Sequence, residues 1–164
     1  MAKSKKTIKE AKNSDLVYNI EPVHFAATGV KELSFFIREN FFIPGDNEMT
    51  VNYGNSLVFN SDTNVLEFIL RAEFNYKNHT TDTLFAIDVQ NLFILPEMKK
   101  YINHEGKLKL PDWFLVDIVR ISVGHTRALL AKHTNETVYN NILIPIVNAN
   151  EMAAAFFGFK SQLQ

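Results

Sequence analysis

The stretch from Leu66 to Tyr76 constrains this chain more than any other. Leu66, Phe68, Leu70, Ala72, Phe74 and Tyr76 alternate with Glu67, Ile69, Arg71, Glu73 and Asn75. A period of two sends the first set to one face of a β-strand and the second set to the other. Lys77-Asn78-His79-Thr80 turns the chain back, and Thr83 to Leu95 forms a returning strand, so residues 65–95 read as a long antiparallel hairpin. The returning strand differs in kind. Phe85, Ile87, Val89 and Phe93 share one side, while Leu84, Ala86, Leu92 and Ile94 share the other, interrupted only around Asp88 and Gln90. Such a strand needs cover on both faces.

The remaining elements arrange themselves around this hairpin. Leu16 to Ile37 reads as extended chain, with Pro22 confining its start to an edge or a break and Gly29 as a bend. Residues 39–49 form a loop, because Pro44-Gly45-Asp46-Asn47 is strong turn chemistry. Thr50 to Phe59 is a second strand with an expected irregularity at Gly54-Asn55, and Asn60 to Asn64 turns into the hairpin. Beyond Pro96 and a basic connector, Pro111-Asp112 opens a helix that runs to about Lys132. Leu115, Ile118, Val119, Ser122, Thr126 and Leu129 recur along it at helical spacing. Gly124, Ala128 and Ala131 make a second stripe of small residues. A glycine in mid-helix costs about 1 kcal/mol against alanine, so the stripe either admits a second helix closely or is a tolerated exposed position. A polar loop to Asn141 leads to the apolar run Ile142 to Val147, and Asn148 or Asn150 caps a short terminal helix. Strands followed by helices give an α+β domain with one antiparallel sheet.

Composition removes several classes of function. A chain of 164 residues, 46% apolar and 21% charged, suits a single domain, expected over residues 16–164, behind a basic tail at 1–15. No apolar run is long enough to span a bilayer, and no signal-peptide core follows Lys3, Lys5, Lys6, Lys9 and Lys12. The lack of cysteine excludes disulfides and thiolate chemistry and suits a reducing compartment, so a cytoplasmic location is expected. A net charge of −1 offers no field for nucleic acid. The scattered glycines form no phosphate loop, and His24, His79, His104, His125 and His133 never take metal-ligand spacing. Ser122 shares a helix with His125 but sits in no nucleophile elbow, which makes it a small core residue. The expectation is a non-enzyme with no cofactor and no metal.

Fourteen phenylalanines are a large apolar load for a domain of this size. Phe41, Phe42 and Ile43 stand together in a loop, where chain is normally solvated, and Phe156, Phe157 and Phe159 crowd a terminal helix. The loop can fold back over its own core, the surplus can be buried in a homo-oligomer, or it can line a groove for apolar segments of other proteins. An α+β domain holding a small apolar ligand is a further alternative.

The order of elements resembles the SecB family of export chaperones. Lys31-Glu32-Leu33-Ser34-Phe35 is similar to that family's first-strand Lys-Asp-Ile-Ser-Phe, and Phe85-Ala86-Ile87-Asp88-Val89-Gln90 resembles the segment carrying Leu-Cys-Glu-Val. Pro111, Arg120 and the stretch Pro145, Val147, Asn148 resemble its Pro-Asn, Ala-Arg-Glu and Pro-Val-Asn-Phe patterns. The likeness spans about residues 17–159. It implies a four-stranded antiparallel sheet with a long crossover loop, one long helix and one short C-terminal helix.

It also implies a homotetramer, built as a dimer of dimers, that binds unfolded proteins without ATP. The implied client groove comprises Phe41, Phe42, Ile43, Leu92, Ile94, Phe156 and Phe157, and Gly124, Ala128 and Ala131 would lie between copies. Glu32, Leu33, Ala86 and Asp88 stand at the positions that dock the SecA motor in that family; Glu32 and Asp88 match in charge, and Ala86 stands where a leucine is usual. The chain departs from the pattern at Phe36, where the family has a second acid, and at Lys132 to Thr137, where its Gly-x-Phe-Pro turn is absent. Members that guard an aggregation-prone antitoxin are the alternative that these departures suggest.

Overall fold

The computed structural model describes residues 23–41, 48–77 and 79–159. Four strands, β1 (Ala26–Ile37), β2 (Met49–Asn60), β3 (Val65–Tyr76) and β4 (His79–Ile94), precede two helices, α1 (Asp112–Thr134) and α2 (Ala149–Phe157). The strands form one antiparallel sheet in the order β1-β4-β3-β2. Consecutive strands β1 and β2 therefore occupy opposite edges, and the chain between them crosses the whole sheet. This is the α+β architecture expected from the sequence.

The central hairpin forms as its period-two pattern requires. Leu66, Phe68, Leu70, Ala72 and Phe74 face the helices and pair with Phe93, Asn91, Val89, Ile87 and Phe85 of β4. α1 lays Phe114, Ile118, Val119 and Ser122 against this layer, all fully buried. Rings interlock through it, with Phe74 stacked on Phe85 at 4.3 Å and Phe25 edge-on to Phe114 at 4.9 Å. Each fully buried side chain of this size contributes about 1.5–3 kcal/mol, so this layer dominates the stability of the domain.

The local signals act where their chemistry predicts. At the β2–β3 turn Asn60 Oδ1 accepts from the amides of Asp62 (2.9 Å) and Thr63 (3.1 Å), and Asn64 adopts a left-handed φ of 56°. Pro111 is the N-cap of α1, and Asn148 caps α2 by accepting from the amides of Asn150 and Glu151. α2 stops at Gly158, whose φ of 74° a side chain would oppose.

Three sequence expectations are corrected. β2 pairs with β3 in unbroken register through Gly54 and Asn55, because a Cβ at Gly54 would come no closer than 3.7 Å to Arg71, so the glycine forces no bulge. β4 starts at His79 and not Thr83, since the ladder reaches Tyr76↔His79 and needs only a tight connection. The first strand starts at Ala26. The tail at 1–15, the segment 16–22 and the Pro44-Gly45 turn lie outside the described residues.

The irregularities fall instead at the end of the β3–β4 hairpin, on either side of Asn75, and in β1, between Ala27 and Gly29 and between Glu32 and Ser34. The one between Glu32 and Ser34 has a consequence for the surface. A slip of one residue sends the preceding side chains to the other face. Ser34 and Phe36 face away from the helices, whereas Glu32, opposite the buried Val89, faces them.

Candidate functional site

The helix side of edge strand β2 is only half covered. Met49, Val51, Tyr53, Leu57 and Phe59 form its inward row, partly buried against the core. Opposite this row runs the extended segment from Ile142 to Val147, and the Arg127 guanidinium of α1 holds it by donating twice to the Ile144 carbonyl, at 3.0 and 2.9 Å. Ile144 points inward and is buried. Its neighbours point out: Leu143 is 64% and Ile146 91% exposed, the two most exposed large aliphatic side chains described.

Between row and segment the surface opens into successive clefts. One of about 600 Å³ lies between Met49, Val51 and Phe74 on the sheet and Ile142, Leu143 and Pro145. A second of about 570 Å³ continues past Tyr53, Ile146, Val147, Met152 and Phe156. A third of about 520 Å³ lies between Leu57 and Phe59 and Leu108, Leu115, Phe157 and Phe159. All three lie beside the inward row of β2, the second and third lined mainly by apolar side chains, and make up the candidate groove at the sheet edge. Tyr53 stands on its floor, and burial raises the phenol above its ordinary pKa, opposed by the nearby Arg127 charge. The Tyr53 hydroxyl finds no hydrogen-bond partner among the described residues.

The residues singled out from the sequence do not converge on one place. Phe156 and Phe157 line these clefts, with their rings 6.4 and 6.1 Å from that of Phe68. Leu92 and Ile94 (37% exposed) lie on the opposite, open face of the sheet, since they alternate with the buried Phe93. Phe41, 42% exposed, sits beyond the end of β1 beneath the Arg38 guanidinium, 5.3 Å from its ring centre. Phe42 and Ile43 lie outside the described residues. Gly124 and Ala128 are exposed on α1, Ala131 is half-buried, and no atom stands within 4 Å of where a Gly124 side chain would begin. α2 therefore does not pack on this glycine.

Glu32, Leu33, Ala86 and Asp88 are likewise divided. Glu32 is hydrogen-bonded to His133 of α1, on the helix side, while Leu33 is exposed within the β1 irregularity. Asp88 is on the open face, accepting from Arg71 at 3.1 Å and from Ser34 at 2.7 Å, beside the buried Ala86. The two acids thus point to opposite sides of the sheet, each with a partner. Ser122 is fully buried, and among the described residues no three His, Asp or Glu side chains group to hold a metal ion. No described helix is long and apolar enough to cross a membrane.

Sequence reasoning missed the inward row of β2 and the outward pair Leu143 and Ile146. The run Ile142 to Val147 was the available signal. Its composition does not say which side chains turn out; in the fold Ile144 is buried, its carbonyl held by Arg127, while Leu143 and Ile146 face solvent.

No family model and no curated protein matches this sequence. Among solved structures, the fold is similar to the Mycobacterium tuberculosis SecB-like chaperone in complex with a ChAD peptide from the HigA1 antitoxin. The TM-score is 0.52 at 5% identity, over 75% of this chain and 90% of that one. The likeness is one of fold.

Proposed function

We propose that this protein is a chaperone that holds unfolded polypeptides, without ATP, in the groove between β2 and the segment from Ile142 to Phe159. One observation carries the reading: Leu143 and Ile146 stand in solvent beside apolar clefts. Burying a side chain of this size is worth about 1.5–3 kcal/mol, and the chain's own fold leaves it unused. The clefts are open and lie in succession beside β2, which suits a segment of chain better than a compact ligand. The SecB-like fold, seen elsewhere with an antitoxin peptide, supports the same reading.

Within it, a dedicated client such as an antitoxin is favoured over handover to SecA. Glu32 is hydrogen-bonded to His133 on the helix side and Asp88 is ion-paired with Arg71 on the open face, so they form no common acidic patch. Assembly is proposed as a dimer of dimers in the cytoplasm, with Gly124, Ala128 and Ala131 between copies.

The test is suppression of aggregation of a denatured client at stoichiometric ratios, followed by light scattering. The wild-type chain is expected to suppress it, and the double variant Leu143→Asp, Ile146→Asp to fail while keeping its far-ultraviolet dichroism. A folded wild-type protein without effect contradicts the proposal.

A further inference from the structure

Exposed sheet edges recruit other strands, and proteins guard them with charge, proline, bulges or short length. The two edges of this sheet are treated differently. β1 carries Lys31 and Glu32 and breaks register twice. β2 runs 12 residues, Met-Thr-Val-Asn-Tyr-Gly-Asn-Ser-Leu-Val-Phe-Asn, with no charge and no proline. Its register with β3 is continuous from Met49↔Tyr76 to Asn60↔Val65. Among the described residues, β2 pairs on one side only.

We infer that β2 receives its client as an added strand, an extended apolar-polar segment that continues the sheet beyond β2. The inference rests on the groove reading above and specifies how the groove is filled. A strand laid beside β2 sends every second side chain to the helix side. There the clefts lie beside Val51, Tyr53, Leu57 and Phe59, walled on the far side by Leu143 and Ile146 at one end and by Leu108, Leu115 and Phe157 at the other. The intervening side chains join the row of Asn52, Ser56, Val58 and Asn60 on the open face, which is polar apart from Val58. Main-chain hydrogen bonds supply affinity without regard to sequence, and an uncharged edge rejects neither acidic nor basic segments.

A second copy of this chain is the other candidate for the same edge. It fits less well, because the inward side chains of its own β2 already lie against its own core. Pairing two such strands leaves the clefts of both copies empty. A client segment brings uncommitted side chains.

Amide hydrogen exchange of β2, read by nuclear magnetic resonance, tests this with a peptide alternating valine and threonine between terminal lysines. A copy N-methylated on every second amide serves as control. Binding is expected to slow exchange at alternate β2 amides, and N-methylation facing β2 to weaken it by about tenfold or more. Equal binding of both peptides with unchanged β2 exchange overturns strand addition and leaves the groove reading standing. Protection of those amides by raising protein concentration alone assigns the edge to a second copy. Failure of the peptides and of a reduced, carboxymethylated unfolded protein to bind removes both readings.

Discussion

The Glu32 carboxylate of β1 is paired with the His133 imidazole in the last turn of α1, across 101 residues of sequence. The same imidazole stacks on Phe35, ring centres 4.4 Å apart, so one side chain ties the sheet edge to the helix end. Both side chains are about 29% exposed, so the contact lies between the surface and the core.

Replacing this histidine should loosen β1 before the rest of the sheet. His133→Gln is expected to lower stability by about 1 kcal/mol, from a weakened hydrogen bond to the carboxylate and a lost ring contact. Urea unfolding measures the total. Amide exchange should show the loss concentrated in β1, and equal acceleration throughout the sheet would contradict this assignment.

Acid should act through Glu73. The Thr83 hydroxyl donates to it at 2.6 Å, and this bond, with help from Arg71 and against some desolvation, holds its carboxyl below the usual glutamate range. A lowered folded value means that the stabilisation is complete above the unfolded pKa of about 4.3 and is lost as pH falls through the lower folded value. Glu73→Gln should therefore be less stable than wild type near neutrality, with the difference shrinking below about pH 4. Melting temperatures across that range check it; a constant difference would assign the contact to shape alone.

The stripe on α1 offers a test of assembly. No atom lies within 4 Å of a Cβ built at Gly124, so Gly124→Leu has room in the protomer and gains about 0.8–1 kcal/mol of helix propensity. If copies meet along Gly124, Ala128 and Ala131, the leucine forces them apart. Light scattering is expected to report a smaller particle with helical content intact. An unchanged mass with a higher melting temperature would put the stripe in solvent.

The hairpin, α1 and the cap of α2 were legible because their signals are local. Alternation fixes the faces of β3, Pro111-Asp112 starts α1, and Asn148 satisfies the first free amides of α2. The candidate groove was only half legible. Phe156 and Phe157 announced themselves by composition, but the row from Val51 to Phe59 reads as ordinary strand. It becomes a groove wall only because the strand order puts β2 at an edge, and non-local pairing leaves no trace in local pattern. Glu32 shows a second limit. Simple alternation groups it with Ser34 and Asp88, and the irregularity at Leu33 moves it to the helix side. Leu92 and Ile94 were grouped with the terminal phenylalanines as apolar residues, although β4 lies between the two sets.

That separation supplies the most direct test. Methyl groups of Ile142, Ile146, Leu57 and Val51 report on the groove, and those of Leu92 and Ile94 on β4 report on the open face of the sheet. Methyl-resolved nuclear magnetic resonance, with a permanently unfolded protein titrated in, should shift the first group and leave the second in place. Shifts confined to Leu92 and Ile94, or no shifts at all, would contradict the account.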